Sequence, residues 1–328
     1  MKTFKHLLVL AISITFSGYS QQLSKEQVRK ITGQIPDLVE KHYVLKEKRQ
    51  LIANAIQDSI AKSIYIKFQI PDSLAKKLTN DLRAVSKDMH LYVKYIPNDE
   101  EKDEFDWDTW EKKEREDEIR QNYGFTQVKI LEGNIGYLKI TEFMNPQRGM
   151  QTAVAAMKFL ENTRGLIIDI RDNGGGYAGL MEYILNHYFD GGPSHISTTH
   201  YSGDRLPDVN YSSDLVYGKL RVGTPLCIII NEGTGSASEY FAYTLQTFEK
   251  AKIVGEKSHG AAHRNTFFPL NENFRVSIST AAPVNPITKT SWEGTGVIPD
   301  IQLSSDEVNR SLELIQKELQ SVEKVGNK

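Results

Sequence analysis

The chain has 328 residues, 39% of them hydrophobic, and a formal net charge of -2. That length suits one large domain or a catalytic core with a smaller appendage, and the composition supplies a buried core while excluding an integral membrane protein. The small net charge, with no interleaving of aromatic and basic residues, argues against nucleic acid as a partner.

Residues 1–20 read as a signal peptide. Lys2 and Lys5 give a positive start, Leu7 to Phe16 form an apolar run too short to span a bilayer, and Gly18-Tyr19-Ser20 places small residues at a cleavage point. Export to a periplasmic, cell-envelope or extracellular location is expected, with no stable membrane insertion after cleavage. Residues 21–97 read as a helical domain. Ser24-Lys25-Glu26-Gln27 is a capping box, Leu51, Ile52, Ala55, Ile56 and Ile60 mark a second amphipathic helix, and Pro71-Asp72-Ser73 opens a third carrying Leu74, Leu78, Leu82 and Val85. Three such helices make a small bundle. Leu91 to Ile96 reads as a strand. Residues 98–124 are almost wholly charged apart from Trp107 and Trp110 and read as a solvated connector or surface helix, with a flap over a substrate groove as the sharper alternative.

From residue 125 to 305 the texture is α/β. Val128–Leu131 and Ile135–Ile140 form a hairpin around Glu132-Gly133-Asn134. Gly165–Ile170 and Leu226–Ile230 are apolar runs without alternation, which predicts strands covered on both faces by helices. Helices are expected around 150–161, after residue 176 and from about Ser236. Residues 306–328 supply a final amphipathic helix. The single cysteine, Cys227, lies within an apolar strand, so no internal disulfide forms and a buried hydrophobe is expected rather than a reactive thiol.

Two glycine-rich turns carry the candidate chemistry. In Asn231-Glu232-Gly233-Thr234-Gly235-Ser236-Ala237-Ser238-Glu239 a buried strand passes into a helix. A Ser at that start faces free backbone N–H groups and the positive end of the helix dipole, the environment an oxyanion requires. Ser236-x-x-Glu239 is equally a capping box, so both readings stay open on the local pattern. In Asp169-Ile170-Arg171-Asp172-Asn173-Gly174-Gly175-Gly176 three glycines follow another buried strand. Their amides can approach a ligand closely, although an ordinary turn has the same composition. No Gly-Lys-Ser/Thr follows, so phosphate binding is not supported, and no Cys/His set has zinc spacing; neither metal nor other cofactor is expected. Of eight His, His90 sits where the helical region hands over to a strand, and His259 and His263 flank Gly260-Ala261-Ala262. Glu293, in Ser291-Trp292-Glu293-Gly294-Thr295-Gly296, is a candidate acid.

Taken in order, Asp-Ile-Arg-Asp-Asn-Gly-Gly-Gly, Gly-Ser-Ala-Ser-Glu, Ile-Val-Gly-Glu and Glu-Gly-Thr-Gly-Val-Ile-Pro-Asp resemble the tail-specific (C-terminal-processing) peptidases over residues 125–303. The helical part ending in Asp88-Met89-His90 resembles the branch of interphotoreceptor retinoid-binding protein and the tricorn core protease. The resemblance implies an α/β (α+β) crotonase-like, ClpP-like catalytic core carrying the N-terminal helical bundle. It also implies a serine peptidase acting on peptides or proteins, without fixing an oligomeric state. The processing branch uses a Lys about 25 positions beyond its nucleophile; Ala261 stands there, and Lys257 falls four residues short. The tricorn-like branch uses His, Ser and an acid, roles that fall on His90, Ser236 and Glu293, with Ala237, Gly174 and Gly175 as oxyanion donors. His263 matches a glycine pair-Ala-His pattern, altered here to Ala261-Ala262-His263, and is taken as structural or groove-lining. Two departures are Met89, where the family often has Gly, and the lack of any segment resembling an inserted peptide-binding module. The alternative function on the same fold is a non-catalytic carrier of small apolar ligands.

Overall fold

The structure, a computed structural model, describes residues 22–97, 107–190 and 192–326. The expected signal peptide therefore lies outside the described residues. Among those described, no helix is long and apolar enough to cross a membrane.

Four α-helices precede the first strand: α1 (Lys25–Gly33), α2 (Ile35–His42), α3 (Lys46–Ala61) and α4 (Pro71–Ser86). The expected capping box opens α1, with reciprocal Ser24 and Gln27 bonds of 2.8 and 3.2 Å. Three helices were expected from the pattern, and the extra one arises because Pro36 in the first turn of α2 starts a new helix directly after α1. α4 also starts on proline and ends at Lys87, whose left-handed φ of 59° turns the chain toward Asp88 and His90. These helices do not form a core of their own. Val28, Ile31, Val39, Ile56, Leu74 and Leu78 pack with Val93 of β1 (Tyr92–Tyr95) and with Phe274, Val276 and Ile278 of β10 (Phe274–Val284). Residues from the two ends of the sequence thus share one interior.

The second half of that sheet was not legible in the sequence. β10 is its spine, pairing antiparallel with β1, with β9 (Arg264–Pro269) and with β5 (His195–Tyr201), which in turn holds β6 (Asp208–Tyr211).

The other sheet has six strands in the order β11-β8-β7-β4-β3-β2, comprising β2 (Phe125–Leu131), β3 (Ile135–Ile140), β4 (Gly165–Asp169), β7 (Leu226–Ile230), β8 (Lys252–Gly255) and β11 (Ile301–Gln302). β2 is the antiparallel edge strand, and the others run parallel. Every residue of β4 and β7 is buried, as their unalternated apolar sequences predict. Leu166, Ile168, Ile228 and Ile230 face α6 (Pro146–Phe159), α7 (Ala178–Asn186) and α8 (Ala237–Thr247). Ile167, Cys227 and Ile229 face α9 (Glu307–Gly326) through Leu312, Ile315 and Leu319. The period of two along a strand sends alternate residues to the two helical layers. Cys227 is buried among them, and burial pushes its thiol up to about 12, which suits packing rather than reactivity.

The charged segment contains α5 (Trp107–Arg120), held from one side: Arg148 of α6 pairs with Glu114 and with the buried Glu118, and Tyr177 also donates to Glu114. α5 therefore sits beside the glycine turn that follows β4.

Candidate active site

Parallel strands β4 and β7 are neighbours, so the turns leaving their carboxyl ends emerge side by side, the usual position for a site in an α/β sheet. The two turns are laced together. Gly235 N–H donates to Asn173 O at 2.9 Å, Thr234 Oγ1 to Ile170 O at 2.9 Å, and Asn231 Nδ2 to Asp172 Oδ1 at 2.8 Å. Asn173 is fully buried, and its side chain bridges Ile140 O and Gly175 N–H. Arg171 of the same motif has a different task, joining Asp169 at the end of β4 to Glu307 of α9.

Ser236 is exposed at the tip of the second turn, with φ 51° and ψ -117°. That is a strained conformation for a residue with a Cβ, of the kind found where a strand-to-helix turn presents a nucleophile. The backbone half of the expected capping box is present, Ser236 N–H donating to Glu239 Oε2 at 2.9 Å, while the Ser236 side chain makes no capping hydrogen bond. The Ser236 hydroxyl is thus not taken up by the helix cap. Ser238, the neighbouring hydroxyl, is fully buried.

Sequence reasoning saw Glu239 only as a cap. Its fully buried carboxylate also accepts from Ser258 Oγ and Gly260 N–H through Oε1, and from Ala261 N–H through Oε2. The next two amides, Ala262 and His263, donate to Glu293 Oε2 at 2.7 and 2.8 Å. One short segment, 260–263, is therefore clamped between the carboxylate behind Ser236 and the carboxylate beside His90. Ala261, where a lysine base would stand, contributes a backbone N–H, and Lys257 is exposed with its Cγ beside Gly296.

Glu293 Oε1 takes Met89 N–H at 3.0 Å, and its Oε2 lies 3.8 Å from His90 Nδ1. The two groups expected to work together are thus adjacent, at a distance longer than a hydrogen bond; His90 Nδ1 is buried with no hydrogen-bond partner. No hydrogen bond joins His90 to Ser236 among the described residues. Gly294, at φ 69°, lets its loop lie against Lys87 O, where a Cβ would come within 2.4 Å. Asp88 anchors the His90 turn: Oδ1 accepts His90 N–H at 2.8 Å, and Oδ2 accepts the Tyr43 hydroxyl at 3.0 Å and meets His263 Nδ1 at 2.8 Å. Burial alone would raise the Asp88 carboxyl, but contact with His263 and the hydrogen bond from His90 N–H hold it well below the usual carboxylate range. Asp88, His263 and Glu293 are groups of metal-ligand type with ligand atoms within 4.8 Å of one another, and each already serves a hydrogen bond within the protein.

The glycine turn divides its expected roles. Gly174 is exposed, and its N–H has no acceptor among the described residues, as is also true of Ala237 N–H at the start of α8. Gly175 N–H is committed to Asn173 Oδ1 at 2.9 Å, so this amide does not point free as the sequence reading expected. What Gly175 provides is the space left by its missing side chain. At φ 115° a Cβ there would lie 2.8 Å from Ser236 Cβ and 2.9 Å from Ala237 N. Gly175→Ala is expected to destabilise the fold by about 1–3 kcal/mol. A thermal melt checks this, and an alanine variant as stable as the wild type would show that the two turns need not approach so closely.

A family model for peptidase family S41 matches residues 134–303. The chain belongs to peptidase family S41. The model for the family's N-terminal domain in eukaryotic IRBP matches residues 23–123, in keeping with the branch suggested by the helices and Asp88-Met89-His90. A carboxy-terminal-processing protease of Bartonella bacilliformis is 32% identical over 177 residues, 52% of this chain and 39% of that protein. A probable CtpA-like serine protease of Staphylococcus epidermidis is 23% identical over 294 residues, 88% of this chain and 58% of that protein. The chain spans roughly half the length of these curated relatives. Among solved structures, a putative peptidase from Parabacteroides merdae aligns with a TM-score of 0.65 at 19% identity, covering 88% of this chain and 96% of that one. The tricorn protease aligns with a TM-score of 0.56 at 12% identity over 90% of this chain and 37% of that one. These two likenesses show a shared fold and nothing further.

Proposed function

We propose that this S41 member is an exported serine peptidase that cleaves peptide or protein substrates through an acyl-enzyme at Ser236. The observation that carries the reading is Ser236 itself, exposed in a strained turn at the start of α8 beside two unengaged amides, Ala237 and Gly174. His90 takes the Ser236 proton as the hydroxyl attacks the scissile carbonyl, and Glu293 stabilises the imidazolium. The Ala237 and Gly174 amides receive the oxyanion. Collapse of the tetrahedral species expels the amine, which accepts the proton from His90; water then repeats the sequence to release the acid. Ala261 and the exposed Lys257 favour histidine over lysine as base. The missing ring-to-hydroxyl bond suits a base that tightens onto its nucleophile only with substrate bound. Export rests on the N-terminal pattern of residues 1–20.

A fluorophosphonate probe tests the assignment. Stoichiometric labelling that maps by mass spectrometry to Ser236 is the expected result. Ligand stabilisation by small apolar molecules with no labelling would favour the carrier.

A further inference from the structure

Among its described side chains, α5 is bound to the body of the protein by charge. Of residues 111–120 only Glu118 is buried, and Ile119, the one apolar side chain among them, is 58% exposed. A short helix without an apolar stripe is marginal alone and takes its place from whatever grips it. Glu111, Glu114 and Glu118, spaced by three and four residues, share one face, and a single guanidinium gathers them. Arg148 lies 2.7 Å from Glu114 Oε2 and 3.9 Å from Glu111 Oε1, and it bonds Glu118 Oε2. Glu118 Oε1 accepts Asn145 N–H at 3.1 Å, at the positive end of α6. Arg115 and Arg120 pair on the surface of α5 itself, with Glu111 and Asp117.

This seat adjoins the proposed site. Tyr177, whose hydroxyl donates to Glu114 Oε1 at 3.4 Å, directly follows the glycine turn. Its N–H donates to Phe143 O at 2.6 Å, and Phe143 N–H donates to Gly175 O at 2.8 Å. A cleft of about 320 Å³ lies between α5 and these residues, lined by Glu114, Glu118, Glu142, Met144 and Tyr177. That is the small end of ligand-sized spaces, roughly 300–1,000 Å³. Beyond its last turn α5 joins β2 through Asn122, Tyr123 and Gly124, with φ of 49°, 55° and 85°. Three left-handed residues in succession, two of them with a Cβ, make a strained junction of the kind that serves as a hinge. Its β2 side is anchored, since Gly124 O accepts Thr141 N–H at 2.9 Å.

We propose that α5 is a strap latched by Arg148, which closes the Tyr177 side of the active site to long chains and swings about residues 122–124 to admit them. This rests on the Ser236 reading given above. A short peptide bound across the Ser236 turn does not reach the strap. A protein segment that runs on past Gly174–Tyr177 meets it, and enters only when the ion pairs to Arg148 part. The strap thus sets which substrates the site accepts by length, and a latch made of ion pairs opens more readily than one made of packed apolar side chains.

The test measures hydrolysis of casein, a long unstructured chain, and of a short fluorogenic peptide, alongside fluorophosphonate labelling at Ser236 and hydrogen exchange of the α5 amides. Arg148→Gln leaves Glu118 buried without its counter-charge. The α5 amides should then exchange faster, and kcat/KM for casein should rise roughly fivefold, with peptide turnover and labelling unchanged. Raising salt from about 0.05 to about 0.5 M shortens the screening length; it should act the same way on the wild type and have little effect on Arg148→Gln. The double variant Glu114→Gln/Glu118→Gln breaks the latch from the strap's own side, and decides the matter should Arg148→Gln fail to fold. Unchanged α5 exchange in these variants overturns the latch. Faster exchange with casein turnover unchanged or lowered overturns the strap, the lowered case making α5 a wall that binds substrate. A wild type unlabelled at Ser236 defeats the acyl-enzyme reading instead, an outcome distinct from a labelled enzyme whose casein turnover does not respond.

Discussion

Replacing Ser236 with alanine is expected to lower peptide hydrolysis by about 10⁴-fold or more, the loss that follows removal of the attacking group from a serine triad. Stability should hardly change. The hydrogen bond to Glu239 comes from the Ser236 backbone, and alanine retains the same unfavourable φ of 51°. Ser236→Gly separates the two effects. Glycine tolerates that backbone, so this variant should be equally inactive yet more stable by about 1 kcal/mol. Peptide turnover and urea denaturation on both variants provide the check. Surviving turnover in Ser236→Ala sinks the nucleophile assignment, and a glycine variant less stable than the alanine one would show that the turn is not strained.

The second large effect is expected at Glu239, which touches no substrate in the proposed scheme. Four donors converge on its carboxylate: the Ser236, Gly260 and Ala261 amides and the Ser258 hydroxyl. An ionised carboxylate only accepts, so all four are satisfied at once. Glu239→Ala strands the buried Gly260 and Ala261 amides, at about 1–3 kcal/mol for each unsatisfied group, and frees the part-buried Ser236 amide. A loss of about 4 kcal/mol is expected, with hydrolysis abolished because the nucleophile turn and segment 260–263 lose their common anchor. Glu239→Gln is not a gentle change here, since its NH2 must face donors wherever it points. It should cost about 2 kcal/mol or more. Chemical denaturation measures both, and a glutamine variant within about 0.5 kcal/mol of wild type would mean that the convergence of donors is not what holds the turn.

The parts of the fold that were legible are those governed by local pattern. Unalternated runs at 165–170 and 226–230 announced strands covered on both faces, and the capping box and Pro71 announced α1 and α4. The sheet around β10 was hidden because its pairings are distant: Tyr92 meets Ser277, and Tyr201 meets Ala281. No spacing within 195–201 or 264–284 reveals such partners. At the site, family motifs pointed to His90 and Glu293, and the two are neighbours. Glu239 was visible only as a helix cap because its other partners come from residues about 20 positions further along the chain. Between Gly174 and Gly175 the sequence could not choose, since it does not tell that the Gly175 N–H is bonded to Asn173 Oδ1.

The interior shared by the N-terminal helices and β10 has a consequence for when the protein can act. His90 is delivered by the helical region, Ser236 by the parallel sheet, and Glu293 bonds Met89 across 204 residues. Contacts so distant in sequence require the chain to be closed over a long span before they form, and non-local contacts of this kind slow folding. A nascent chain, or one clipped between the helices and the sheet, holds each reactive group without its counterpart. On the proposed chemistry, a chain in that state holds no complete site, so hydrolysis begins only once both halves of the fold have met.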